Sequence, residues 1–68
     1  MPDDTSALEG LTDRQNQVLE LLATGLSNAE IAESLGLLTG TVKTHVSQVL
    51  ARLGAQNRVA AARIFFGP

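Results

Sequence analysis

Apolar residues recur along the chain at three- and four-residue intervals, in stretches divided by glycine and opened by polar residues. Val18, Leu19 and Leu22 make the first stripe. Thr12, followed three residues later by Gln15, has the form of a capping box, which predicts a first helix over residues 13–24, stopped by Gly25. Ser27 and Glu30 repeat the box, and Leu26 and Ile31 are spaced to staple across it, so a second helix is predicted to about residue 35. Gly36 suits the left-handed end of that helix. A third helix should open between residues 38 and 41 and close at Gly54. Asn57 is placed to cap a fourth over residues 58–65, in which Ala60, Ala61 and Ala62 are strong helix formers. No stretch alternates as a strand does. The fold class is therefore all-α, with residues 11–66 forming one four-helix domain and residues 1–10, which include Pro2, Asp3 and Asp4, a flexible leader or linker end.

The second and third helices have the spacing of a helix-turn-helix. Ala32, Gly36 and Val42 supply a small residue at the crossing, a glycine in the turn and an apolar anchor in the following helix, flanked by Ile31, Leu35 and Leu37. A short helical hairpin with a glycine turn can also be plain core. The third helix adds a second signal. At about 100° per residue, Val42, Val46, Val49, Leu50 and Leu53 gather on one side and Lys43, Thr44, Ser47, Gln48 and Ala51 on the other. A solvated helix face usually favours Glu and Lys four residues apart, whereas this one carries short hydrogen-bonding side chains and one lysine. Such a face can sit deep in a major groove and reach base edges; the bland alternative is a set of tolerated surface residues. His45 falls on the flank between the faces, where packing under the turn is favoured over an approach to phosphate.

Charge sharpens the contrast. The net charge is −2, which alone argues against nucleic acid. Its distribution argues the other way: seven carboxylates and Arg14 give −6 through Glu33, and Lys43, Arg52, Arg58 and Arg63 give +4 beyond it. A carboxylate-free half offers the local positive surface that phosphates need. Four cations are few, so one copy should bind modestly.

Composition excludes most other chemistry. With 68 residues, a single His and no Cys, Tyr or Trp, the chain has little from which to build a nucleophile and base pair or a three-ligand metal site. It has no glycine-rich phosphate loop. Neither an enzyme, a metal site nor a cofactor is expected, and stability has to come from burying part of the 44% of residues that are hydrophobic. The N-terminus lacks the basic-then-apolar order of a signal peptide, and no apolar run approaches a membrane span. The expectation is a cytoplasmic protein with no membrane partner.

The segments LTDRQNQVLELLATGLSNAEIAESLG and TVKTHVSQVLARLGAQNR resemble the C-terminal DNA-binding domain of LuxR-type, also called GerE-type, bacterial transcription regulators. The resemblance covers about residues 11–64. It implies a four-helix domain that reads double-stranded DNA with its third helix in the major groove, as a dimer on paired half-sites, often as the effector domain of a response regulator. On this chain it marks Lys43, Thr44, Ser47 and, at the margin, Gln48 as base-reading. Phosphate contacts would come from Ser27 and Asn28 at the start of the second helix and from Thr41 at the start of the third, with Arg52 and Arg58 adding charge at the edges or bonding within the domain. The fourth helix would pair two copies, weakly without DNA, through Val59, Ala62 and Phe66, leaving Arg58, Ala61 and Phe65 to face the domain's own body. RNA polymerase is a further candidate partner.

Three positions depart from the family pattern. Leu38 occupies the place where such domains commonly cap the recognition helix with Ser or Thr, so the cap is expected to shift to Thr39 or be weak, at a cost of about 1 kcal/mol, with Leu38 packing near the turn. Gln15 stands where Glu is usual, and Ser47 where Lys or Asn is frequent. The rival to a DNA reader is a protein-interaction module that keeps the helix-turn-helix shape with weak DNA binding, in line with the net negative charge. A promoter-reading domain of the sigma-factor type shares the motif but not the LTDRQ opening.

Overall fold

Thr12 opens α1 (Asp13–Ala23): its hydroxyl oxygen accepts from the Gln15 N–H at 3.0 Å, and the Gln15 side chain accepts from the Thr12 N–H at 3.1 Å. Ser27 opens α2 (Asn28–Leu35) by the same reciprocal bonds with Glu30, at 3.1 and 2.8 Å. Asn57 opens α4 (Arg58–Phe66) by accepting from the Ala60 N–H at 2.9 Å. Each bond satisfies a backbone donor that a helix start leaves without an internal partner. The ends are equally local. Gly36 and Gly54 take left-handed backbone angles, φ 70° and 66°. The next residue in each case, Leu37 or Ala55, donates back to the carbonyl five residues earlier. That is the Schellman closure, which glycine adopts without a Cβ clash. The computed structural model describes residues 10–67, and all four helices lie within them; the leader expected over residues 1–10 falls outside, apart from Gly10.

The four stripes meet in one core made of Val18, Leu19 and Leu22 from α1, Ile31 and Ala32 from α2, Val42, Val46 and Val49 from α3 (Thr39–Leu53), and Ala61 from α4. α1 lies against both α3 and α4, while α2 packs chiefly on α3. Full burial of a Val, Leu or Ile contributes about 1.5–3 kcal/mol. Val42 and Val49 are wholly buried, so the inner side of α3 is held firmly while its outer side is left to solvent. Among the described residues there is no strand.

At the start of α3 the cap is weak rather than shifted. Leu38 is its N-cap with extended backbone and makes no side-chain cap bond; Thr39 is the first helical residue rather than an inherited cap. Nor does Leu38 pack: it is 78% exposed. Leu37 takes the inward place beside the core, and the extended step to Leu38 turns the next side chain outward. Smaller differences follow from caps. α1 ends one residue earlier than expected because Thr24 serves as its C-cap, with the hydroxyl donating to the Leu21 carbonyl at 2.7 Å, and α4 runs one residue further, to Phe66.

Candidate nucleic-acid interface

Lys43, Thr44, Ser47 and Gln48 are all exposed on one side of α3, directly behind the buried Val42, Val46 and Val49. The burial pattern thus matches the two-faced helix expected from the sequence. Thr44 donates its hydroxyl proton to the Gly40 carbonyl at 3.3 Å, which leaves its oxygen lone pairs free to accept. Gln48 is tethered at one end, because its Oε1 accepts from Gln15 Nε2 at 2.9 Å. No acid lies in the first turn of α3, and Arg52 lies in its last. Arg52 is exposed, with its guanidinium beside Gly10 at the entry to the domain.

The two helix starts in this hairpin are electrostatically unlike. At α2 the Glu30 carboxylate closes back on the Ser27 N–H, so a negative charge already sits where an anion would approach, and the Asn28 and Ala29 N–H groups are the ones that helix geometry leaves open. At α3 the first intrahelical bond runs from the Val42 N–H to the Leu38 carbonyl, and among the described residues no side chain bonds the N–H groups of Thr39, Gly40 and Thr41. Ser27 and Thr41 are exposed, as expected. Asn28 and Arg58 are bound to one another: the Arg58 guanidinium donates to Asn28 Oδ1 and to the Leu26 carbonyl, each at 2.6 Å. Sequence reasoning left Arg58 open between phosphate and an intramolecular role. The structure engages it inside the domain.

On α4, Val59 and Phe66 are each 64% exposed and Ala62 is half-buried, while Ala61 is buried and Phe65 packs on the core. The outer and inner stripes separate as the spacing predicts. Val59 and Ala62 also border an open groove of about 290 Å³, completed by Leu22, Ala23, Gly25 and Arg58. His45 is half-buried, with a buried Nδ1 that has no hydrogen-bond partner among the described residues, in keeping with a packed position on the flank of α3.

The family model "Bacterial regulatory proteins, luxR family" (GerE) matches residues 9–65, which takes in all four helices but for the last residue of α4. The chain belongs to the luxR family. This luxR-family domain is 44% identical over 63 residues to the nitrate/nitrite response regulator protein homolog of Haemophilus influenzae, covering 93% of the chain and 30% of that protein. It is 43% identical over 61 residues to the transcriptional regulatory protein DesR of Bacillus subtilis, covering 90% and 31%. It is 47% identical over 55 residues to the DNA-binding transcriptional activator DevR/DosR of Mycobacterium tuberculosis, covering 81% and 25%. The chain therefore spans about a third or less of the length of these relatives. Its architecture is the all-α helix-turn-helix domain of the family, with α2 and α3 as the motif.

Two polar bridges escaped the sequence reading. Gln15 was legible as half of a capping box and as a departure from the usual Glu, and Arg58 as a cation with a phosphate or an intramolecular role, but the partner of neither was legible. Their partners lie 33 residues away in one case and 30 and 32 in the other, and no local spacing rule reaches that far.

Proposed function

We propose that the chain binds double-stranded DNA sequence-specifically, as the effector domain of a bacterial transcription regulator, by laying α3 in the major groove. The observation that carries this reading is the outer face of α3: Lys43, Thr44 and Ser47 exposed together, without a carboxylate, on a helix pinned from behind by three buried valines. Side chains of this length let the helix approach base edges closely. The relatives named as transcriptional regulators, one of them as DNA-binding, support it.

In this reading Lys43, Thr44 and Ser47 discriminate bases, with Gln48 at the edge. Thr41 and the open N–H groups at the start of α3 take one phosphate; Ser27, Asn28 and Arg52 meet the flanking backbone. Arg58 acts from behind by holding the start of α2. Two copies pair through Val59, Ala62 and Phe66. A helix of nine residues offers far less than the roughly 1,200 Å² of a stable interface, so pairing occurs mainly on DNA. The site of action is the cytoplasm, and RNA polymerase is the partner through which a bound regulator would act.

The test is a fluorescence-anisotropy titration across salt, using a duplex selected by this chain from a random pool and the same duplex with its base order scrambled. Tighter binding to the selected duplex, weakening as salt rises, is expected. Indifference to base order, or no binding at all, would sink the proposal and favour a protein-interaction module with a helix-turn-helix shape, the reading to which the net charge of −2 lends weight.

A further inference from the structure

Gln15 is only 8% exposed, and each end of its side-chain amide has a fixed partner. Its Oε1 accepts from the Thr12 N–H, a backbone group that can only donate. The opposite end, Nε2, must therefore point toward α3, where it donates to Gln48 Oε1 at 2.9 Å. The assignment propagates. With its oxygen engaged behind, the Gln48 amide turns its two N–H donors to the exposed side of α3, one turn beyond Thr44 and next to Ser47. The orientation of an amide on the outer face thus follows, through two hydrogen bonds, from a backbone N–H at the start of α1.

We propose that Gln15 is a positioning residue for DNA readout: it holds the Gln48 amide with its donors toward the duplex, so that Gln48 offers a hydrogen bond to an acceptor atom of the DNA. The inference rests on the DNA-binding reading above. Acceptors are available both on phosphates and on base edges, purine N7 and O6 or thymine O4. A carboxylate at position 15 would still accept from Thr12 but has no donor for Gln48. The Gln48 amide would then rotate to donate inward and present its oxygen, which every phosphate and every base acceptor repels. One buried residue that touches no DNA sets whether the edge of the reading face donates or accepts.

The experiment compares the parent chain, Q15E, Q48A and the double variant at pH 8, where a carboxylate is ionised. Q15E should melt as the parent does, since the capping bonds to Thr12 persist. Q48A should bind the selected duplex about three- to tenfold more weakly, the usual worth of one hydrogen bond. Q15E should lose at least as much when Gln48 is present and distinctly less when position 48 is Ala. A loss confined to the selected duplex assigns the acceptor to a base, and an equal loss on scrambled duplex assigns it to phosphate. Equal losses from Q15E in both backgrounds, or full affinity for Q48A, would overturn the inference.

The side-chain amide signals of the free protein give a readout independent of DNA. Q15E should move the Gln48 N–H resonances as they become donors to a carboxylate, and unmoved resonances would overturn the orientation. Failure of the parent to bind any duplex while those resonances move would count against the DNA-binding reading, not against the amide geometry.

Discussion

Replacing Arg58 with Ala removes the guanidinium from both the Asn28 side chain and the Leu26 carbonyl, two bonds of 2.6 Å. Hydrogen bonds involving a charged group contribute about 1.5–3 kcal/mol each in favourable settings. Arg58 is half-buried, so the two abandoned acceptors regain water, and the total loss should be about 2 kcal/mol. The loss matters structurally because no Cα of α2 lies within 8 Å of one in α4; the arginine side chain spans a gap that the backbones leave open. In a domain of this size 1 kcal/mol moves the melting midpoint by about 4–8 °C, which gives an expected fall of about 8–16 °C. Circular dichroism melts of the parent, R58A, R58K, N28A and the R58A/N28A pair measure it. One ammonium group cannot reproduce the planar fork that reaches two acceptors, so R58K should recover less than half of the loss. The double variant should be more stable than the sum of its parts predicts, by about 1 kcal/mol, because either single change already breaks the bond they share. An R58A midpoint within about 2 °C of the parent, or full recovery by lysine, would refute the bridge.

Three further outcomes are expected. Lys43→Ala or Thr44→Ala should each cost about 1–3 kcal/mol on the selected duplex and much less on scrambled DNA; equal losses on both would reduce the residue to a phosphate contact. Val59→Glu, at an exposed position on α4, should abolish cooperative binding to a duplex with two half-sites while leaving the melting curve unchanged, and retained cooperativity would place the contact elsewhere. Leu38→Ser should raise stability by about 0.5–1 kcal/mol, because it supplies a missing cap while giving up almost no buried area, and Thr39→Ala should leave the melt unchanged; a drop with the serine would contradict the observed exposure.

Most of the fold was legible because its signals are short. A cap is written within four residues and a Schellman closure within six, so Thr12 with Gln15, Ser27 with Glu30, Asn57, Gly36 and Gly54 all announce themselves. Periodicity sorts Val42, Val46 and Val49 from Lys43, Thr44 and Ser47 because burial in a helix repeats with the helix. Leu38 was misjudged for a physical reason: helical phase says nothing about a residue whose backbone is extended, and the core place beside the turn was already filled by Leu37. The same limit hid the links from Gln15 to Gln48 and from Arg58 to α2, which depend on how whole helices lie against one another.

Among the described residues, α3 is the longest of the four helices and the only one whose start is not closed by a side chain of its own. Beginning a helix is costly, since several residues must be ordered before the first internal bond forms. The Leu38 carbonyl accepts the first internal bond, from Val42, but its side chain contributes nothing to that step, so the opening turn at Thr39, Gly40 and Thr41 should fray in the free domain, and its amide hydrogens should exchange faster than those around Val46 and Val49. A phosphate arriving there can supply the acceptor that serine would have provided. In the proposed complex, ordering that turn and seating the duplex would be a single event, with the entropy of ordering drawn from the interaction with DNA. In the proposed DNA-binding reading, the domain would give up a little stability when alone and recover it at the start of α3 when a duplex is seated there.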